Sequence, residues 1–250
     1  MNGRAARLAF TVLTPLLLVA AWWGYVELFD VPRFVLPPPG AVFAELVKLF
    51  ADGTIWPHLG HTVGVIVAGF AIGAAAGFAL GFVLGKWPRV ERLVGPYLFF
   101  FQTAPKIALA PLFTLWFGLG LTSKIVLTVS LVFFPVMAGT ILGLRSVQPN
   151  LHALCAILKL SPRDKLLRVE LPSAVPEIFA GLKVAAVQAT IGAILAEWLS
   201  GGLGLGYLMV FAGTTYKTPL LFAMVLVTSL LGIAVYQSLA ATEKWLLSWR

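Results

Sequence analysis

Four side chains that hydrocarbon excludes sit inside long apolar runs of this sequence: Gln102, Lys106, Gln188 and Glu197. A charge at the bilayer centre costs about 2.5–3.5 kcal/mol on insertion scales, so an intramembrane ion marks a path, a partner or a pair. Lys106 stands between Pro105 and Pro111. Proline withholds an N–H donor and clashes with the preceding turn, so the backbone must break there as well. Broken backbone at membrane depth survives only where protein or a water-filled cavity satisfies it. One chemistry for this set is lowering the barrier to an anionic solute, with the Lys106 ammonium beside amides freed around the two prolines. The other is structural, with Lys106 snorkelling or paired to Glu197. Lys183, near the end of its apolar run, reads as a snorkelling anchor.

The remaining reactive types point away from catalysis. His58 and His61 lie three apart, but no carboxylate or cysteine is near them in sequence to complete a metal site, and they read as interfacial polar residues. Gly201, Gly202, Gly204 and Gly206 imitate a nucleotide-loop spacing. They follow a helical run instead of a strand, so they read as a flexible outer turn and gate, with Tyr207 as an interface aromatic. Gly85-Lys86 is followed by Trp87, which fits no phosphate-binding loop. No nucleophile, base and orienting acid recur at a spacing that one helix would bring together. The residues thus predict no catalytic site, no metal site and no cofactor bound by this chain. Cys155, the one cysteine, cannot form an intrachain disulfide.

The elements that must position these residues are membrane spans. Of 250 residues, 60% are hydrophobic and 11% charged, with mean hydropathy +0.94. A soluble domain of this size cannot bury so much apolar surface. Windows of about 19 residues predict spans over 8–29, 60–85, 95–118, 122–144, 174–199 and 218–246, making one all-α membrane domain of about six crossings over 1–250. The start Met1-Asn2-Gly3-Arg4 resembles a signal-peptide head. The apolar run from Leu8 to Phe29 is too long for one and no cleavage site closes it, so it reads as a retained span. The net charge of +8 sits mostly in short loops, which is a topology signal and not a nucleic-acid surface. With the N-terminus inside, Arg4, Arg7, Lys86, Arg89, Arg92, Arg145, Lys159, Arg163, Lys165, Arg168, Lys244 and Arg250 fall inside. Arg33, Lys48, Lys124 and Lys217 fall outside, so both termini are expected in the cytoplasm.

Two further patterns concern packing. After Pro37-Pro38-Pro39, residues Val42, Phe43, Leu46, Leu49 and Phe50 share one face of a helix expected to lie along the outer interface. Gly69, Gly73, Gly77, Gly81 and Gly85 repeat every four residues and so stack on one side of the second span. That stripe admits close backbone approach, either within the chain or between two copies.

The polar stretch from Arg145 to Leu171 is organised. Leu151 to Leu160 reads as one short helix. Ser161-Pro162-Arg163-Asp164 then offers an N-cap, a proline at the first helical position and an acid three residues after the cap, with Pro172 expected to end the second helix. Apolar Leu166, Leu167, Val169 and Leu171 mixed with Lys165 and Arg168 suit either a docking surface for a soluble partner or an interfacial helix on anionic lipid.

A family resemblance chooses between these. The window ALCAILKLSPRDKLLRVELP aligns with the cytoplasmic loop of ATP-binding-cassette importer permeases, and Val169, Leu171 and Pro172 match its motif. Ala153 stands where that motif has Glu and Lys159 where it has Gly. The segments LPPPGAVFAEL, TAPKIALAPLFTLWFGLGLTSKIVLTVSLVFFPVMAGTILGL, LPSAVPEIFAGLKVA and AEWLSGGLGLGYL resemble the nitrate/sulfonate/taurine branch, in the same order, over about residues 34–210. The resemblance implies a type I importer permease fold in a bacterial inner membrane, with a cytoplasmic coupling helix in loop 150–171. It also implies a second permease copy, an ATPase subunit dimer carrying ATP and Mg, an extracytoplasmic solute-binding protein, and a small anionic cargo. Lys159, Leu160, Ser161, Pro162, Arg163, Asp164 and Lys165, with the apolar face, would then dock the ATPase without the missing Glu. A membrane scaffold or an intramembrane enzyme are the other function classes, and neither accounts for the ordered resemblance.

Overall fold

A computed structural model describes the backbone of residues 3–247 and the side-chain surroundings of residues 13–247. Met1, Asn2 and Arg250, and the side chains of Arg4 and Arg7, lie outside the described residues. The elements in order are α1 (Gly3–Leu28), α2 (Pro39–Ala51), α3 (Ile55–Lys86), α4 (Pro88–Thr103), α5 (Ala110–Phe117) and α6 (Leu121–Arg145). They continue with α7 (Pro149–Ile157), α8 (Pro162–Lys165), a π-helical turn (Leu166–Glu170), α9 (Leu171–Ser200), α10 (Leu205–Thr214) and α11 (Thr218–Leu246). Among the described residues four helical rods are long and apolar enough to cross a membrane: Ile55–Lys86, Leu121–Arg145, Pro162–Ser200 and Thr218–Leu246. The first expected span falls in α1, whose described apolar stretch is the shorter Leu13–Leu28.

The backbone breaks in the third span where the two prolines place it: α4 stops at Thr103 and α5 starts at Ala110. Pro105 ends the first piece and the chain returns in tight turns, with Ala108 N–H donating to Pro105 O at 2.8 Å and Ala110 N–H to Ile107 O at 3.2 Å. Pro172, by contrast, ends nothing. The turn before it widens, so that the Leu171 N–H bonds Leu166 O five residues back. A widened turn relieves the clash between a proline ring and the carbonyl four residues earlier, and α8 runs on into α9 as one rod.

The centre of the bundle is α6, held between α3 and α9 by glycine contacts on both faces. All five glycines of the α3 stripe face α6. A methyl group at Gly77 would lie 2.5 Å from Phe133 O, at Gly81 2.7 Å from Met137 O, and at Gly85 2.8 Å from Leu144. On the other face a methyl at Gly139 would lie 2.7 Å from Glu177 O, and one at Gly181 2.7 Å from Pro135 O. Lipid tails are as apolar as leucine, so spans associate chiefly through such close van der Waals contact. Val65, Ile66, Val132, Val136, Ala185 and Ala189 fill the junction of the three helices.

A second core joins α2, α10 and α11 to the start of α3, through Val42, Leu49, Ile55, Leu205, Met209 and Met224. Only part of the apolar α2 face is used there: Val42 and Leu49 are buried while Phe43 stays 67% exposed. Asp52 accepts from the Thr54 hydroxyl at 2.8 Å, which closes the turn into α3 and holds the Asp52 carboxyl below the ordinary carboxylate range. α1 leans on α11 through Trp22 and Phe222, with ring centroids 5.6 Å apart. α4 buries no residue.

Replacing Gly77 by Ala forces α3 and α6 apart, and overpacking of this kind costs about 1–3 kcal/mol. The thermal unfolding midpoint in mild detergent is expected to fall clearly for Gly77→Ala and to stay put for Gly64→Ala, where nothing lies within 4 Å of the added methyl. Equal midpoints would remove the glycine stripe from the account of this fold.

Candidate functional site

Polar residues collect at three places along the bundle. At the end of the α9 rod near Ser200, Glu197 is completely buried. The Thr62 hydroxyl on α3 donates to it at 2.8 Å, the Gly206 N–H donates at 2.9 Å, and His61 Nδ1 lies 3.4 Å away. Lys124 on α6 is buried too, with its ammonium donating to Gly201 O and Leu203 O, both at 3.0 Å, and its charge acting on Glu197. Thr62 Oγ1 accepts the Leu205 N–H at 2.9 Å and His58 Nδ1 accepts the Gly204 N–H at 3.2 Å. Three helices thus supply side chains that fasten one loop by its backbone. A buried carboxylate and ammonium are tolerable only when paired and hydrogen-bonded in this way.

This arrangement corrects two readings. The turn from Gly201 to Gly206 is pinned and not loose. Glu197 is held by Thr62, His61 and the Gly206 N–H and not by Lys106. Lys124, expected on the outer side, is buried in the first turn of α6. Sequence could not bring these together, because Thr62, Lys124 and Glu197 lie on three helices far apart in the chain. The glycines follow from the same geometry: Gly204 has φ +132°, and any Cβ there would enter the Glu197 carboxyl. Tyr207 stacks on His58 with ring planes 6° apart. Among the described residues no group of three or more His, Cys, Asp or Glu is placed to hold a metal.

The second place is the break between α4 and α5. Lys106 Nζ donates to Gln102 O at 2.8 Å and lies 4.7 Å from the centroid of the Phe134 ring. The turns around Pro105 and Pro111 satisfy most of their own backbone, leaving the Lys106 and Ile107 N–H groups without an acceptor among the described residues. Gln188 is not part of this group. It lines a groove with Lys183 and Tyr236, where Lys183 bonds Glu243 at 2.8 Å instead of snorkelling free.

The third place is loop 150–171. Ser161 caps α8, with its hydroxyl oxygen accepting the Asp164 N–H at 3.1 Å and Pro162 at the first turn. α7 ends in a Schellman motif, with Leu160 N–H on Cys155 O at 3.0 Å and Lys159 N–H on Ala156 O at 3.1 Å. The motif needs a left-handed residue and Lys159 supplies it at φ +49°, in the position where the loop motif has glycine. Ala153 is exposed on α7. Leu154, Ile157, Leu158 and Leu167 are exposed around Lys159, Arg163 and Arg168, with Ile157 77% open. Beneath the loop, Glu170 is buried and accepts from Lys86 at the end of α3 at 2.5 Å, with Lys165 at 3.8 Å. Arg145 at the end of α6 pairs with Glu91 on α4. Leu171 and Pro172 begin the rod that leads away from this base.

A bundle of membrane-crossing rods, with a broken span carrying a lysine and an exposed helical loop at one end, defines an all-α polytopic membrane protein. Residues 69–247 match the family described as binding-protein-dependent transport system inner membrane component, and the chain belongs to that family of ATP-binding-cassette importer permeases. It is 35% identical over 235 residues to a formylaminopyrimidine transport permease protein of Halalkalibacterium halodurans, covering 94% of this chain and 93% of the relative. It is also 35% identical over 238 residues to a riboflavin transport system permease protein of Chloroflexus aurantiacus, covering 95% and 88%. To the taurine transport system permease protein of Escherichia coli it is 28% identical over 248 residues, covering 97% and 90%.

Left-handed backbone costs a side chain about 1–2 kcal/mol relative to glycine, so Lys159→Gly is expected to raise the thermal midpoint in detergent slightly. A lower midpoint would mean that the Lys159 side chain makes a stabilising contact. Gly204→Ala collides with Glu197 and is expected to make the 200–206 turn newly sensitive to protease, which leaves the parent uncut there.

Proposed function

We propose that this chain is the membrane-spanning subunit of an ATP-driven importer and that loop 150–171 receives the push of a separate ATPase dimer. The carrying observation is mechanical. Arg163 and Arg168, beside the exposed apolar surface of α7, lie on a rod that runs into α9 without a break, through the π-helical turn and Pro172. A rod of 39 residues reaches about 58 Å at 1.5 Å per residue, longer than the hydrocarbon core it crosses. Movement of the loop therefore reaches Glu197 and the Gly201–Gly206 turn, which is the gate in this reading. ATP and Mg belong to the ATPase subunits, a solute-binding protein delivers cargo to the gate side, and a second permease copy completes the channel. The basic loops support a cytoplasmic location for loop 150–171 and for both chain termini.

The cargo assigned to the Lys106 break is a small anion of the sulfonate, taurine or nitrate kind. The Lys106 ammonium and the two open amides at Lys106 and Ile107 support it, as does the taurine permease relative. The formylaminopyrimidine and riboflavin relatives support the coarser reading of a small nutrient.

Tagged permease purified in mild detergent is expected to carry ATPase in fixed stoichiometry. Arg163→Glu with Lys165→Glu should lower that recovery about tenfold, the size of a lost pair of interfacial charge contacts, while Lys244→Glu does not. Undiminished recovery from the double variant would overturn the docking assignment. Lys106→Gln is expected to depress sulfonate-dependent growth of cells relying on this permease, and normal growth would reject the anion path at Lys106.

A further inference from the structure

Between α9 and α11 runs a groove that neither the Lys106 break nor the gate uses. One part, of about 410 Å³, is lined by Thr190, Thr228, Ser229, Tyr236 and Gln237. An adjoining part, of about 540 Å³, shares Val187 and Tyr236 and adds Gln188 and Lys183. Its size is that of a small-solute site, and so is its make-up, with mostly apolar walls that include Val187, Ile191 and Ile233 and a few polar groups set among them. The Gln188 and Gln237 amides and the Tyr236 hydroxyl have no hydrogen-bond partner among the described residues. Thr190 and Ser229 turn their hydroxyls back onto Ala186 O at 3.2 Å and Val225 O at 2.8 Å, the usual resting place of a helical hydroxyl. Thr228 does not: its Oγ1 is buried and unpaired. An amide or hydroxyl left without a partner in hydrocarbon costs about 4–8 kcal/mol, so two amides, a phenol and an orphan hydroxyl on two membrane-crossing helices require water or a polar solute.

The charge of the groove is as informative as its polarity. Its one cation, Lys183, is already neutralised by Glu243 at 2.8 Å. What remains is neutral, with amide donors and acceptors, hydroxyls and one aromatic face among apolar walls. Such a lining recognises amide, hydroxyl or ring-nitrogen groups by hydrogen bonding and gives a bare anion no fixed counter-charge. The apolar groove between α2 and α11, lined by Phe43, Leu46, Phe50, Leu226 and Leu230, is the contrasting case that lipid chains can fill.

We propose that the α9–α11 groove is a water-filled, electrically neutral solute site that takes the uncharged hydrogen-bonding part of the cargo. The proposal rests on the permease reading and adds a site distinct from the electropositive Lys106 break.

The test needs no knowledge of the cargo. In a Cys155→Ser background, Gln188→Cys, Thr228→Cys and Leu226→Cys are each made in the assembled transporter in membrane vesicles. They are treated with the membrane-impermeant trimethylammonium and sulfonate forms of an ethyl methanethiosulfonate reagent. Cysteines at 188 and 228 should react about 100-fold faster than the one at 226, a wet against a lipid-filled environment worth two decades. The two reagents should agree within about threefold, because an unpaired lysine at contact range would separate them by more than tenfold. A strong preference for the sulfonate reagent would make the groove electropositive and overturn its neutral class. Failure of both reagents, or an oxidative cross-link between copies at position 228, would make it a covered face and overturn the site. ATPase retention is read in the same vesicles, so loss of the ATPase would count against the permease reading and not against the groove.

Discussion

Close approach of α6 to α3 on one side and to α9 on the other is the contact on which this structure depends. Inside a bilayer no hydrophobic gain accompanies the pairing of two apolar helices, so they adhere by van der Waals contact at short range. Five glycines on α3 and the Gly139, Gly143 and Gly181 set between α6 and α9 provide that range. Everything of functional interest is attached to the ends or the flanks of this triple stack.

At one end the stack is bolted by Lys86–Glu170 and Arg145–Glu91, which join the bases of α3, α4 and α6 to the loop rod. At the other, Lys124 and Glu197 are buried together and spend their hydrogen-bonding capacity on the backbone of one glycine turn. Buried charges held by such partners add little net stability but fix one arrangement, since removing a partner leaves an uncompensated charge. The two bolts therefore do different work. The first ties loop 150–171 to the bases of the central helices, and the second holds a turn that the same helix reaches with its far end. Continuity between them comes from a single backbone device, the π-helical turn that lets Pro172 sit inside a rod.

The membrane class, the four long apolar rods, the capped start of α8 and the glycine stripe were legible in the sequence. Each rests on local rules: hydropathy over a window, a cap three residues from its acceptor, a four-residue period. The loop resemblance also named Lys159 as standing in a glycine position, and the left-handed φ of +49° gives that departure its physical meaning. The same local rules misjudged Pro172, because a widened turn is a response of the helix to crowding and carries no composition of its own.

What only the tertiary structure decided is which polar groups meet. Sequence offered Lys106 as the partner for Glu197 and counted Lys124 only as a charge on the outer side, since both were judged from position along the chain. Packing of α3, α6 and α9 instead brings Thr62, His61, Lys124 and Glu197 to one point and leaves Lys106 with Gln102 and Phe134. The reason is that hydropathy sets how deep a residue lies along the membrane normal, whereas partnership depends on helix rotation about its own axis. Rotation here is set by glycine contacts between helices far apart in the chain, which no window along the sequence contains.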